Sequence, residues 1–394
     1  MANPFEQTRM AESILSWLRH PRRKAGSADL GWLGTAVATS AGEVRAENQD
    51  RAVVAKFTHP DDRNQAFVAM LLCDGMGGMV EGGQCADIAV SEFLDYLVNR
   101  SSSSIEETLR GATLEANQAV HRTYRGRGGT TLTAVLFKAE SVAAVSVGDS
   151  RLFEISDAKA LSQISIDDTI AGELRRIHGA DLPPSNFEPF SNRLAQFVGM
   201  GDELQPRTYS LHDHGGRYLI CSDGVQAIPA DTIGKVVSAA GSALVLANRL
   251  VNLSIWCGGD DNSSAICFGG DIRRTMFAEH KQQQTRLEIW DAFGPVEVLF
   301  VSLRPQARAV AAPSPIATNN QFARGTIQDV QPWKKSDPPK SKRAKRSESK
   351  NRKPKSRGDA LGSRSPKQFQ MEIVENSTPV TTNGSERPDP EDKE

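Results

Sequence analysis

Four aspartates at the ends of short apolar runs are the residues of this chain best suited to chemistry. Asp74 and Asp223 each end such a run and precede a glycine, whereas Asp50 and Asp261 each precede one. A carboxylate at the end of a strand can project into a cleft that other strands share. Carboxylate oxygens are the ligands that the hard cations Mg²⁺ and Mn²⁺ prefer. The four aspartates therefore predict a site for a divalent cation.

Each of these motifs is weak when it is taken alone. An isolated Asp-Gly pair, such as Asp74-Gly75 or Asp223-Gly224, is more often a turn than a metal ligand. The prediction therefore depends on all four aspartates occurring in one chain, each beside polar or glycine neighbours.

The elements that would position these aspartates are short strands and longer helices in mixed order. Helical spacing predicts helices over Gly83–Asn99, Ile105–Tyr124 and Leu244–Ser254. Because strands and helices do not alternate strictly, the pattern favours an α+β layered domain. The predicted strands, bounded by turn residues, are Ala52–Ala55, Phe67–Cys73, Thr131–Phe137, Val142–Val147, Leu152–Ile155, Tyr218–Cys221 and Ala265–Phe268.

Six short motifs, taken in order, resemble those of the type 2C (PPM) protein phosphatases, which are metal-dependent Ser/Thr phosphatases, and of their bacterial branch in particular. The resemblance covers residues 31–270, about 60% of the chain. It implies a central β-sandwich of two antiparallel sheets flanked by helices. The motifs are Arg45 to Asp50, Asp74 to Gly78, Gly128 to Thr131, Gly148 to Arg151, Ser222 to Gly224 and Asp260 to Asn262.

The resemblance also implies roles for individual residues. Asp149 would help to bind a third, weaker metal ion, and Arg45 would bind the substrate phosphate, a role that suits the paired donors of a guanidinium. A hydroxide that bridges two metal ions would attack the phosphorus of phospho-Ser or phospho-Thr. Arg45 and the four aspartates would be the catalytic residues. Two Mg²⁺ or Mn²⁺ ions would be bound by Asp50, Asp74, the carbonyl of Gly75, Asp223 and Asp261.

Some features depart from the family pattern or vary within it. Met76 stands where many eukaryotic relatives carry a histidine proposed to protonate the leaving group, so water would do so here. Gln49 replaces a common glutamate and can still hydrogen-bond a water on the metal. Ser162–Glu203 either contains a flap that selects substrates or simply connects strands. Three histidines are candidate ligands by type, although a loop-like sequence favours a surface position for the second and third: His178, His212 and His214.

The cysteines indicate the redox compartment and argue against a cysteine nucleophile. Five cysteines in 394 residues, with no CxxC pair, exclude a disulfide scaffold and predict a reducing, cytoplasmic location. Four of them lie in or beside apolar runs, which predicts buried thiols. Cys73 precedes Asp74, whose carboxylate would disfavour a nucleophilic thiolate.

The two ends of the chain are expected to differ from the domain. No segment reaches the roughly 20 apolar residues of a membrane span. Residues 1–30 are predicted as a solvated leader, although Ile14 to Leu18 could instead form a short amphipathic helix that touches a membrane or a partner. Residues 271–310 are predicted as appended strands, in which Arg286–Trp290 and Pro295–Ser302 form a hairpin.

The charge is unevenly placed along the chain. The formal net charge is −1, yet residues 334–367 carry +11 and residues 368–394 carry −5, which leaves −7 for residues 1–333. Few aliphatic residues follow Trp333, so residues 311–394 are predicted as a disordered linker and basic tail. The tail could bind nucleic acid, anionic lipid or an acidic partner, or only aid solubility.

Three functions remain open on the sequence alone. The first is a phosphatase that acts on phosphoproteins and opposes a Ser/Thr kinase. The second is a binding module that keeps the fold without the activity, although the presence of Arg45 and all four aspartates argues against it. The third is a nucleic-acid-associated protein that acts through its basic tail.

Overall fold

Two antiparallel β-sheets pack face to face in the computed structural model, and helices cover their outer faces. The structure describes residues 10–20, 23–60, 62–100, 104–156, 158, 160–178, 193–211, 216–269, 272 and 285–300. Within these residues one sheet has six strands and the other has seven. The predicted α+β class and β-sandwich are confirmed.

The spatial order of the strands in each sheet differs from their order along the chain. The first sheet contains β1 (Ala25–Leu30), β2 (Thr35–Ser40), β11 (Ser263–Phe268), β10 (Arg217–Cys221), β7 (Arg151–Ile155) and β8 (Leu161–Gln163). The second contains β13 (Gly294–Phe300), β12 (Arg286–Asp291), β3 (Arg51–Thr58), β4 (Phe67–Cys73), β5 (Leu132–Phe137), β6 (Val142–Val147) and β9 (Arg207–Ser210). The helices are α1 (Met10–Leu18), α2 (Gly82–Asn99), α3 (Ile105–Tyr124), α4 (Ile170–His178), α5 (Ala230–Ala239) and α6 (Ala243–Trp256).

Side chains alternate between two apolar layers along the central strands, because successive strand residues point to opposite faces. In β3, Val53, Ala55 and Phe57 pack under the helices, whereas Ala52 and Val54 face the other sheet. Both faces of β4 are buried, so its sequence FVAMLLC is apolar throughout rather than alternating with polar residues. A third layer lies between the six-stranded sheet and helices α5 and α6.

Local capping explains where two of the long helices begin. The Ser104 hydroxyl accepts a hydrogen bond from the Glu107 backbone N–H at 3.3 Å, and Ser242 does the same for Val245. Such N-caps stabilise a helix by satisfying N–H groups that have no partner within it. Most predicted elements agree with the observed ones within two residues, and β4, β6 and α3 agree at both ends.

A solvated leader is predicted over residues 1–30, whereas α1 and β1, within its described residues 10–20 and 23–30, pack against other elements of the domain. Helix α1 buries Ile14 and Leu18 in the layer beneath α2, and strand β1 pairs with β2 along its whole length. The Ala11 backbone N–H also donates to the Asp95 carboxylate at 3.2 Å. Ile14 and Leu18 lie one helical turn apart, so they form an apolar stripe that α2 of the same chain covers.

The predicted C-terminal hairpin forms, but it extends the seven-stranded sheet rather than standing as an appendage. Strand β12 pairs with β3, where Leu287 lies opposite Phe57, and both Leu287 and Ile289 are buried. A two-stranded hairpin alone is only marginally stable, so the pairing of β12 with β3 stabilises this one. The predicted tail over residues 311–394 lies outside the described residues. None of the described helices is long and apolar enough to cross a lipid bilayer.

Candidate metal and phosphate site

Strand pairing brings the predicted aspartates to one end of the sandwich. In the seven-stranded sheet Arg51, the first residue of β3, pairs with Cys73, the last residue of β4. Asp50 and Asp74 therefore lie next to each other in the chain segments that leave the same end of the sheet. In the six-stranded sheet Cys221, at the end of β10, pairs with Ala265 near the start of β11. Asp223 and Asp261 therefore also lie at one end of their sheet. Antiparallel pairing thus gathers residues that are far apart in sequence.

A hydrogen bond between the sheets joins the two pairs of aspartates. The Ser222 hydroxyl donates to Asp50 Oδ2 at 2.8 Å and accepts the Ser264 backbone N–H at 2.9 Å. Neither serine was assigned a role from the sequence alone. A signal was present, since Ser222 follows Tyr218 and Ile220 on the face of β10 that turns toward the other sheet.

Two threonines fix the backbone of Asp74. The Thr130 hydroxyl donates to the Asp74 carbonyl at 2.7 Å, and the Asp74 N–H donates to the Thr131 hydroxyl at 3.0 Å. The next residue, Gly75, has no room for a side chain, because a Cβ atom there would lie 2.5 Å from the Gly82 carbonyl. The motif around Thr130 therefore positions the end of β4 beneath the start of α2.

Asn262 holds the loop that carries Arg45. Its side-chain amide donates to the carbonyls of Ala41 and Glu47 at 3.0 and 2.9 Å, and its Oδ1 accepts the Gln49 N–H at 2.7 Å. Asn262 itself is buried. From the sequence this asparagine was only one member of a motif, whereas in the fold it anchors the loop between β2 and β3.

Arg45 lies at the edge of the aspartate cluster. Its Nη2 donates to Asp261 Oδ2 at 2.7 Å, and this bond raises the pKa of the guanidinium. The charges of Asp223 and Asp74 add smaller effects in the same direction. The Arg45 side chain is 42% exposed, so its remaining donors can reach a ligand from solvent.

A cleft of about 660 Å³ opens at this end of the sandwich. Asp50 does not line it; this carboxylate is 4% exposed and lies behind Asp74. The structure thus brings six of the seven predicted site residues to one surface and places the seventh beneath it. The six that line the cleft are Arg45, Asp74, Gly75, Asp149, Asp223 and Asp261.

Burial and mutual repulsion raise the pKa of several of these carboxyls. Burial raises the pKa of Asp50 to about 6, although the nearby serines Ser264 and Ser222 lower it. Burial, followed by the charges of Asp50 and Asp223, raises the pKa of Asp74 well above its usual range. The pKa of Asp223 is raised by burial and then by the charge of Asp261.

The donor set fits a divalent cation. Among the described residues, no three His, Cys, Asp or Glu side chains form a group that a metal ion would fit as it stands. Asp50 Oδ1, however, is buried without a hydrogen-bond partner in the described structure. A buried, unsatisfied carboxylate oxygen among carboxylates that repel one another is costly unless a cation binds there. This cost supports the predicted preference for Mg²⁺ or Mn²⁺.

Asp149 borders the same cleft on the turn between β6 and β7. Burial and then the charge of Asp223 raise its pKa to about 7. The Gln226 side chain donates to the Asp149 carbonyl at 2.8 Å and fixes this turn. Part of the segment predicted as a flap lies beside it, since Asp167 and Leu194 line the cleft.

The remaining residues considered from the sequence are cysteines and histidines. Burial raises the pKa of the Cys73 thiol far above its usual value, which agrees with the expectation that a nucleophilic thiolate is disfavoured there. Cys73, Cys85, Cys221 and Cys267 are buried, whereas Cys257 is exposed and lines the cleft. His212 and His214 lie outside the described residues. The backbone of His178 ends α4, and its side chain is not described.

Comparison with known proteins identifies the family. Residues 39–252, more than half of the chain, match the protein phosphatase 2C family. The chain belongs to the protein phosphatase 2C family. The match spans the loop of Arg45, the strands that carry Asp50, Asp74 and Asp223, and most of α6. It ends before Asp261, which the fold nevertheless places beside Arg45.

Several curated relatives of the chain come from bacteria. The chain is 27% identical over 229 residues to the serine/threonine protein phosphatase PstP of Mycobacterium tuberculosis, a match over 56% of this chain and 44% of that protein. It is 28% identical over 239 residues to the protein phosphatase PhpP of Streptococcus pneumoniae, over 57% of this chain and 92% of that one. The chain therefore spans less than half the length of PstP.

A solved phosphatase 2C structure has the same fold. The PPM Ser-Thr phosphatase MsPP from Mycobacterium smegmatis, crystallised with cacodylate, superposes with a TM-score of 0.50 at 27% sequence identity. The superposition covers 59% of this chain and 97% of MsPP. The β-sandwich of this chain is thus the fold of a phosphatase domain.

Proposed function

We propose that this protein is a metal-dependent protein phosphatase that hydrolyses phospho-Ser and phospho-Thr. One observation carries the proposal: the carboxyls of Asp74 and Asp223 line a cleft whose rim holds Arg45, that of Asp50 lies beneath it, and all three have a raised pKa. Buried carboxylates suit divalent cations, and an exposed guanidinium suits a phosphate dianion. Membership of the phosphatase 2C family supports the same conclusion.

The residues of the chain divide the work between metal and phosphate. Asp50, Asp74, Asp223 and Asp261, with the Gly75 carbonyl, would hold two Mg²⁺ or Mn²⁺ ions, and Asp149 would help to hold a third. When bound, such ions supply an activated water as nucleophile and neutralise charge on the phosphate oxygens.

Arg45 orients the substrate. Its fork of donors would bind two phosphate oxygens and keep the phosphorus at the mouth of the cleft. The bond to Asp261 holds the guanidinium at the rim in the absence of substrate. No side chain needs to form a covalent phosphoenzyme, because the nucleophile is water.

The decisive measurement is hydrolysis of p-nitrophenyl phosphate and of phospho-Ser and phospho-Thr peptides, with and without Mn²⁺. We expect hydrolysis that requires the metal and is lost in Asp74→Asn and in Asp223→Asn. Asp231→Asn, at an exposed position of α5, serves as a matched control and should retain full activity. Hydrolysis that persists in excess EDTA would contradict the mechanism, and its absence under all conditions would favour the inactive binding module.

The substrates in the cell would be phosphoproteins, and the counterpart of the enzyme a Ser/Thr kinase. PstP and PhpP are named as protein phosphatases, which supports this class of substrate. A cytoplasmic location is supported by the five cysteines, all of which are unpaired. Phosphoproteomic comparison of cells with and without the gene should find phospho-Ser and phospho-Thr sites that accumulate in its absence.

The basic block of residues 334–367, with its net charge of +11, supports an anionic partner such as nucleic acid. Binding would be independent of base sequence, since the block contains no aromatic residue. A mobility shift of duplex DNA that weakens with salt and disappears on truncation after Trp333 would support this partner. A shift that survives the truncation would contradict it.

A further inference from the structure

Arg51 lies directly beside a predicted metal ligand, yet on the opposite face of its strand. Asp50 turns toward the other sheet, where Ser222 binds it, whereas Arg51 turns toward α2. The neighbours of Arg51 on that face, Val53 and Ala55, belong to the apolar layer under the helices. Arg51 is 9% exposed, so its charge is carried into a layer that is otherwise largely apolar.

The Arg51 guanidinium holds three groups at once. Its Nε donates to the carboxylate of Asp87, a buried residue of α2. Its Nη1 donates to the carbonyls of Asn48 and Asp50, each at 2.9 Å. Two carbonyls of the turn that presents the Asp50 carboxylate are thus tied to helix α2 through one side chain.

Helix α2 in turn starts at the end of the segment that carries Asp74 and Gly75. Gly82, its first residue, packs so closely against Gly75 that only a hydrogen atom fits between them. The Gly75 N–H donates to the Gln49 carbonyl at 3.3 Å, which closes the connection back to the turn before Asp50. The Arg51–Asp87 pair therefore connects the turn that carries Asp50 with the helix that follows Asp74. Asp50 and Asp74 are the carboxylates proposed to share metal ions.

Stability alone does not explain such a pair. Burying two charges costs about as much as their attraction returns, and apolar residues of similar volume often fold as well or better. Hydrogen bonds that orient metal ligands, by contrast, have a large effect on metal affinity. The geometry thus favours a role in positioning over a role in holding the domain together.

We propose that Arg51 and Asp87 are positioning residues, which set the distance between the Asp50 and Asp74 carboxylates and thereby the affinity for the divalent cation. This inference rests on the proposed function, because it assumes that these two carboxylates bind the metal. Neither Arg51 nor Asp87 lines the cleft, so neither contacts the substrate.

The test is the dissociation constant for Mn²⁺, measured by titration calorimetry on the full chain below its unfolding temperature. In the double variant Arg51→Met/Asp87→Leu we expect this constant to rise by about tenfold or more, while the unfolding temperature in EDTA stays close to that of the wild type. Asp87→Asn, which keeps the shape and an acceptor, should raise the constant by less. If the double variant does not fold, the Mn²⁺ dissociation constant of Asp87→Asn tests the proposal in its place.

The matched control removes another ion pair from the same sheet. Arg286 and Glu288 pair at 2.6 Å on β12, beside the end of β3 that lies away from Asp50. Arg286→Met/Glu288→Leu should leave the Mn²⁺ constant unchanged. An unchanged constant in Asp87→Asn, or an equal rise in the control, would overturn the proposal. If the wild type binds Mn²⁺ but hydrolyses no phosphoester, the proposed function fails while the calorimetry still decides this inference.

Discussion

Arg45 and Asp261 form an ion pair at the rim of the cleft, 216 residues apart in sequence, with Nη2 and Oδ2 separated by 2.7 Å. The residue proposed to bind phosphate is thus paired with a residue proposed to bind metal. The two side chains are 42% and 39% exposed, and exposed pairs of this kind contribute about 0–1 kcal/mol to stability. The pair therefore orients Arg45. Breaking it, for example when substrate binds, costs little free energy of folding.

Replacing Arg45 should reduce catalysis without affecting folding. In Arg45→Ala we expect kcat/KM for p-nitrophenyl phosphate to fall by about 10²-fold, because a charged donor to the transferring phosphoryl group is lost. The unfolding temperature should not change, since the ion pair is exposed. Arg45→Lys keeps the charge without the paired donors and should give an intermediate rate. Arg122→Ala, at an exposed arginine of α3, is the surface control; a drop in unfolding temperature confined to Arg45→Ala would argue for a structural role.

Removing the serine between the sheets should destabilise the protein. In Ser222→Ala, Asp50 Oδ2 loses its donor and the Ser264 N–H loses its acceptor, so we expect the free energy of unfolding to fall by about 1–3 kcal/mol. Urea denaturation in EDTA measures this change. Ser238→Ala, on the exposed face of α5, should leave the free energy nearly unchanged. Equal stability of Ser222→Ala and the wild type would show that the bond between the sheets contributes nothing.

The metal-free protein should lose stability as the pH rises. The folded-state pKa is about 6 for Asp50 and about 7 for Asp149, both above the ordinary value of 3.8. At a pH between the ordinary pKa of 3.8 and the folded-state pKa of each group, the folded state binds a proton that the unfolded state has released. The free energy of unfolding therefore decreases as the pH rises through this range. In EDTA the unfolding temperature should therefore be lower at about pH 8 than at about pH 5.

Two additions sharpen this measurement. Saturating Mn²⁺ should raise the unfolding temperature more at the higher pH, where the carboxylates are charged and free of competing protons. Asp149→Asn should flatten the part of the profile near its pKa of about 7. An unfolding temperature in EDTA that increases over the same range would contradict the assignment of raised pKa values.

Thiol reagents should leave the active site intact. Burial raises the pKa of Cys85 and of Cys221 to about 12, and it also raises the pKa of Cys73 and Cys267. Only Cys257 is exposed, at the edge of the cleft. In Cys257→Ser, iodoacetamide should change neither the mass of the native protein nor its rate of phosphate hydrolysis. Inactivation of that variant would indicate a nucleophilic thiol.

Much of the local structure was predictable because it depends on local patterns. The periodicity of Ile105–Tyr124 and the apolar run Phe67–Cys73 predicted α3 and β4 to the residue. The edge strand β1 was not predicted, because its sequence AGSADL has little apolar character and alternates between exposed and half-buried positions. It pairs with β2 along its whole length, so its strand structure depends on a contact that its own sequence pattern does not show.

The sequence by itself determined which residues form the candidate site, since the types and order of Arg45 and the aspartates are written in it. Only the tertiary structure decided how they are held. Asp50 lies behind the cleft and accepts a hydrogen bond from Ser222, and its neighbour Arg51 pairs with Asp87 on the other face of the same strand. Ser222 and Asp50 lie 172 residues apart. Local periodicity fixes the face on which a side chain lies, but the burial of whole sheets and helices selects the partner it meets there.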